Sequence, residues 1–151
     1  MPEKKTIERA RRKAEEGKAP STQAGEFVRE EMEHIRKGKH GAGSAKQAIA
    51  IGLSKARRAG VKLPPPEKAT SSGKTRKSAE STDRRGRAGE PVSPARSRAG
   101  EKALKREPRT VASHSSLSRQ ARSAAKKRSH GERSAASRKA ASTRKKTARP
   151  K

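Results

Sequence analysis

Two neighbouring stretches of the chain carry apolar residues at helical spacing. Ala24, Phe27, Val28, Met32 and Ile35 fall on one face of a helix that starts after Pro20, with Ser21 or Thr22 as N-cap; Glu31 interrupts the stripe. Lys37-Gly38 supplies a basic last turn and a stop. The second stretch is better punctuated. Ser44 and Gln47 form an S-x-x-Q capping box, in which each side chain meets the other residue's orphan amide. Ala45, Ala48, Ile49, Gly52, Leu53 and Ala56 then recur at i, i+3, i+4, i+7, i+8 and i+11. Lys55, Arg57 and Arg58 oppose the negative end of the helix. Gly60 stands where a left-handed C′ residue belongs, and Val61 follows to touch Ala56.

These patterns predict an antiparallel helical hairpin over about 22–37 and 45–59, because so short a loop folds two helices back on each other. Charge agrees with the pairing. Residues 22–37 carry four Glu against three basic residues, whereas 38–63 carry six basic residues and no acid. The small residues Ala45, Ala48, Gly52 and Ala56 let the two backbones approach closely. A hairpin of this size is near the limit for folding alone. A homodimer through Phe27, Met32, Ile35 and Leu53 is one way to support it. Upstream, residues 2–16 read as a charged helix, with Pro2 in its first turn, a Glu8–Arg12 pair and Gly17 at its end. Its apolar stripe is only Ile7, Ala10 and Ala14, which predicts loose docking.

Composition changes the picture beyond the hairpin. Ile, Leu, Val and Phe together make 13 of 151 residues, and the net charge is +27. Chains below roughly 20 per cent in that class with high charge cannot bury enough apolar surface to offset chain entropy. After Leu63 only Val92, Leu104, Val111 and Leu117 remain of that class, and Pro64-Pro65-Pro66 marks a boundary. The expected fold is therefore mostly disordered with a small all-α module. The divisions are a charged arm at 1–20, the hairpin at 21–63, a Pro/Ser/Gly-rich linker at 64–101 and a basic disordered tail at 102–151.

Missing residue types exclude several functions. Without Cys there is no disulfide framework, thiolate metal site or cysteine nucleophile, which fits a reducing cytoplasm. No apolar run is long enough to span a membrane, and the N-terminus lacks the apolar core of a secretory signal. Phe27 is the only aromatic residue, too few for the stacking platforms of single-strand-binding modules.

The stretch TQAGEFVREEMEHIRKGKHGAGSAKQAIAIGLSKARRAG resembles an uncharacterised family of small bacterial and phage domains, whose hallmark is a Gly/Lys/His loop, a Ser and a KQAIAI-x-L-S-x-A helix. Here those residues run from Lys37 to Ala56. The resemblance implies a bacterial or phage setting and a helix pair, and no reaction.

Candidate chemistry is sparse. The loop GKHGAGS lacks the Lys that a Walker A motif places before its Ser, and no strand precedes it, so nucleotide hydrolysis is not expected. A weaker reading has loop amides, Lys39, His40, Ser44, Lys46, Arg57 and Arg58 holding a backbone phosphate. Glu30 and His34 lie one turn apart with His40 in the next loop, but a metal needs three or four convergent ligands. Glu30–His34 reads as a surface pair, and neither metal nor cofactor is expected. No G-x-S-x-G elbow or H-E-x-x-H motif occurs. Catalytic residues are absent on this reading, and so is any small-molecule substrate.

The tail is the informative part. From Lys102 to Lys151 there are 17 basic and 2 acidic residues, set among Ala and Ser. Its composition resembles the Ala/Lys-rich tails of linker histones and bacterial histone-like proteins, and Ser93-Pro94-Ala95-Arg96 is similar to their S-P-basic elements. The basic residues Lys102, Lys105, Arg106, Arg109, Arg119, Arg122, Lys126, Lys127, Arg128, Arg133, Arg138, Lys139, Arg144, Lys145, Lys146 and Arg149 are the candidate nucleic-acid contacts. Each phosphate they neutralise releases counterions, so affinity needs no base contact. An anionic membrane fits less well, since the tail has no Trp or Phe to insert. The expected function is histone-like, sequence-independent binding of nucleic acid, duplex DNA foremost, in the cytoplasm and at the nucleoid. The alternatives are a protein-interaction module whose hairpin binds a partner, and an RNA- or ribosome-associated basic protein. An enzyme is not expected.

Overall fold

In a computed structural model of the protein, which describes residues 2–68 and 71–147, the hairpin forms as its local signals dictate. Helix α1 spans Lys4–Glu15, α2 Pro20–Arg36 and α3 Ala45–Arg58. Ser44 caps α3, its Oγ accepting from the Gln47 amide at 3.1 Å. The Gln47 side chain reaches back one residue further than the capping box predicts, to the Gly43 amide at 3.0 Å. At the other end Gly60 has φ 89°, its N–H donates to the Arg57 carbonyl, and the Val61 N–H donates to the Ala56 carbonyl. That is the Schellman arrangement. Helix α2 starts two or three residues earlier than a Ser21 or Thr22 cap would place it, with Ala19 at the cap position. Pro20 occupies its first turn, where the proline ring already has a helical φ and no N–H is needed.

The two helices meet at Gly52. A Cβ built there would lie 2.7 Å from the Val28 Cα, a backbone contact that no side-chain rotation relieves. Gly52→Ala should therefore lower the urea midpoint, by an overpacking cost of about 1–3 kcal/mol, although alanine favours the helix by roughly 1 kcal/mol. A raised midpoint would show that the helices have room to spare.

The expectation of a mostly disordered chain is overturned. Beyond Leu63 the described residues form α4 (Gly73–Arg87), α5 (Pro94–Lys105), a 3₁₀ turn at Thr110–Ala112, α6 (His114–Lys126) and α7 (His130–Thr147). Two physical facts were missed by counting large apolar residues. Ala, Lys, Arg and Glu are strong helix formers on their own account, and the stretch holds local caps such as Ser72, whose Oγ accepts from the Thr75 amide. Alanine also builds core: Ala24, Ala42, Ala48, Ala56 and Ala112 are wholly buried. So the linker expected at 64–101 holds α4 and most of α5, which runs across its far boundary to Lys105. One of them packs on α3, where a Cβ at Gly86 would lie 2.3 Å from the Arg57 carbonyl oxygen.

The described residues up to Leu117 form one compact unit, and those from Ser118 form a second. The first holds two apolar clusters. One joins Met32, Ile35, Ala42 and Ala48 of the hairpin to Val111 and Ala112 of the 3₁₀ turn. The other joins Phe27, Ala24 and Ala56 to Ala10 of α1 and to Val61. Of the four residues named for a homodimer, Phe27, Met32 and Ile35 are buried within the chain, while Leu53 is half-buried against the second cluster.

Helix α1 is docked, not loose. Its thin stripe suffices because Thr6 and Ala10 are buried and because polar ties add to it. Glu26 of α2, 8 % exposed, takes Arg9 Nε at 2.8 Å and the Lys13 ammonium. The Lys13 hydrogen bond chiefly holds the Glu26 carboxyl below its ordinary 4.5, against the opposing effect of burial, with Arg9 adding to the depression. Because the folded value lies below the unfolded one, this stabilisation is whole above about pH 4.5 and is lost as pH falls below it. Glu26→Gln should cost on the order of 1 kcal/mol at neutral pH and flatten the acid limb of the stability curve. An unchanged acid limb would remove Glu26 from this role.

Candidate nucleic-acid interface

The second unit is built of charge. Residues 118–151 hold 13 Lys and Arg against one acid, Glu132. That acid is used locally. Its Oε2 accepts the Ser129 amide at 2.6 Å while the Glu132 amide donates to Ser129 Oγ at 3.3 Å, a capping box that starts α7. The Ser129 hydrogen bonds hold its carboxyl down, so it stays ionised against the positive helix end. The S-x-x-E spacing was visible in the sequence, by the rule that found Ser44 and Gln47.

Helix α7 has no apolar face. Arg133, Arg138, Lys139, Arg144 and Lys145 are all exposed. At about 100° per residue, Arg133 and Arg144 share one side, Arg138 and Lys145 a second, and Lys139 takes a third. On α6, Arg119, Arg122 and Lys126 are exposed, as are Lys127 and Arg128 in the turn that follows. Lys146 lies in the last turn of α7, and Arg149 is outside the described residues.

The remaining candidates belong to the first unit. Lys102 and Lys105 are on α5, where Lys105 pairs with Glu101 at 2.9 Å. Arg106 caps that helix, and the Arg109 guanidinium lies against Gly38. So the basic tail expected from 102 divides: residues 102–117 help build the first unit, and the Val111–Ala112 pair is core.

The loop 38–44 is occupied by the protein itself. The Gly41 amide donates to the Leu104 carbonyl at 2.9 Å and Ala42 to Pro108 at 3.1 Å, while Gly43 is taken by Gln47. Those amides are spent before a phosphate arrives. Lys39 pairs with Glu3 at 3.1 Å, and Ser44 is occupied as the cap. Arg57 is 8 % exposed and donates to the Pro64 carbonyl at 3.2 Å; burial lowers its pKa, with Asp83 opposing. Lys46 is exposed and Arg58 half-buried.

A second feature escaped the sequence reading. Glu30 and Glu31, one expected to be a surface acid and the other a break in the stripe, are 2 % and 0 % exposed. Glu30 Oε2 accepts the Glu3 amide at 3.1 Å. Lys55, reaching from α3, lies 2.7 Å from Glu31 Oε2 and 3.6 Å from Glu30 Oε1. His40 Nε2 lies 3.5 Å from Glu31 Oε1, and His34 Nε2 is 2.9 Å from Glu3 Oε1. The His34 hydrogen bond, then Lys39, holds the exposed Glu3 carboxyl down at about 2. Only the i,i+4 spacing of Glu30 and His34 signalled any of this in the sequence.

Among the described residues, no helix is long and apolar enough to cross a membrane. No curated protein and no solved structure matches the chain. Residues 20–68, which take in α2, the loop, α3 and the three prolines, match an uncharacterised family of small domains described as a family of unknown function, DUF6496.

Proposed function

We propose that this chain binds nucleic acid, duplex DNA foremost, without reading its sequence, and that the residues from Ser118 onward supply most of the contacts. One observation carries the reading: α7 is an exposed helix, cationic on three sides, whose single acid is committed to its own cap. A docking helix keeps one apolar face for its partner protein. A helix in the major groove of DNA has phosphates on both flanks, and the groove is about 12 Å wide. Charge distributed around the axis suits that surrounding and carries no base code. The first unit is then the folded body that carries this cationic segment. The nucleoid is the setting we propose for this binding; the family that the hairpin matches has no known function and adds no role to it.

Competition between duplexes tests it. A labelled 30-base-pair duplex should be displaced equally well by its own sequence and by a scrambled one of the same length. A preference of more than about 10-fold, comparable to the cost of one mismatched base pair at a specific site, would defeat the proposal. Displacement by RNA alone would move the reading to an RNA-binding protein.

A further inference from the structure

The buried acids beside α3 have too few partners. Glu31 is wholly enclosed, yet neither of its carboxylate oxygens has an aligned hydrogen bond, and Glu30 Oε1 has none either. Lys55 is the ammonium that faces both, and it sits on the Oε2 side of Glu31. Oε1 faces His40 instead. Buried carboxylate oxygens without hydrogen bonds are costly and rare in folded proteins.

His40 makes the arrangement more specific. Its Nδ1 is 3.0 Å from the Gly41 carbonyl oxygen, which can only accept, so Nδ1 carries the donated proton. Nε2 is left pointing at a carboxylate oxygen 3.5 Å away, beyond ordinary hydrogen-bond length. An imidazole held from behind by a backbone carbonyl, with its other nitrogen aimed at an anionic oxygen, is how metal-bound histidines are set. Two ligands at roughly 2.0–2.1 Å from a tetrahedral ion lie about 3.3 Å apart, close to the spacing found here. The second imidazole, His34, has its Nε2 2.9 Å from Glu3 Oε1 and 4.0 Å from Glu30 Oε1. One ligand atom each from Glu31, His34 and His40 all lie within 4.8 Å of one another.

We infer that Glu31, His34 and His40 form a site for one divalent ion of the zinc class, with a fourth position for water or Glu30. Two imidazole nitrogens select against calcium and magnesium, which take oxygen ligands. The site ties α2 to the loop that α5 and the Pro108 segment hold in place. The ion would stabilise the first unit without entering the DNA contacts.

The full chain, stripped with chelator, is titrated with Zn2+ by calorimetry and with Co2+ as an optical probe. One equivalent should bind, the Co2+ spectrum should be tetrahedral, and Zn2+ should raise the thermal midpoint. His40→Ala and Glu31→Gln, checked for helicity, should each weaken Zn2+ binding by more than about 10-fold, the least that even an outer partner usually costs. His114→Ala with His130→Ala should leave it unchanged. X-ray absorption at the zinc edge of the unaltered protein should show two imidazoles per ion, a readout that stands even where a variant fails to fold. Absence of one-equivalent binding, a zinc edge without two imidazoles, or loss of binding in the His114/His130 variant would overturn the site.

Discussion

A chain ending at Leu117 should lose most of its affinity for DNA and most of its salt sensitivity. The cut removes 13 of 42 basic residues and 1 of 15 acids, so the net charge falls from +27 to +15. If the full chain neutralises about ten phosphates, log affinity falls with log salt at a slope near −9. The shortened chain should show a slope shallower than about −4 and bind at least ~100-fold more weakly at physiological salt. Several of its 29 remaining basic residues are paired with acids: Arg9 and Lys13 with Glu26, Lys39 with Glu3, Lys55 with Glu31, Lys105 with Glu101. Filter binding or anisotropy from 50 to 300 mM salt measures both quantities. Equal slopes for the two chains would place the contacts on the first unit.

Ala112→Asp should unfold that first unit. Ala112 is wholly buried in the 3₁₀ turn, packed with Met32, Ile35 and Ala48, and its carbonyl accepts from Arg36 Nε at 3.1 Å. The side chains of the cluster are all apolar, and the neighbouring Arg36 is already committed to the backbone carbonyl. An uncompensated buried charge costs about 3–5 kcal/mol, a large part of a small domain's total stability. The urea midpoint should fall sharply and the helical signal of α1–α3 with it, while DNA binding by the segment from Ser118 persists. Tolerance of the aspartate would mean that the turn lies off the core and that the hairpin stands alone.

That turn is also where the sequence reading stopped short. The hairpin was legible because its signals are local: Ser44 at a cap, Gly60 and Val61 at a terminus, apolar residues at helical spacing. The closure of its open face was not. It comes from Val111, one of the few large apolar residues past Leu63, and from Ala112, more than 50 positions downstream of α3 in a stretch whose composition reads as disorder. Large apolar residues are a sound measure of the surface a chain can bury, but they miss cores made of alanine. The buried pair Glu30 and Glu31 was hidden for a similar reason. Its partners Glu3, His40 and Lys55 come from three different segments, and only the fold brings them together. The cationic segment needed no fold to be seen. Its helices required only the propensity of Ala, Arg and Lys and one capping box at Ser129.

Amide exchange of the full chain, recorded with and without a short duplex at low salt, tests the division of labour most directly. Without DNA, the slowest amides should lie in α2 and α3 beneath Phe27, Ile35 and Ala48, because those segments carry the buried contacts. Adding the duplex should slow exchange from Ser118 through α7 and leave α2 and α3 unchanged. New protection confined to α2, the 38–44 loop and α3, with none beyond Ser118, would contradict the account.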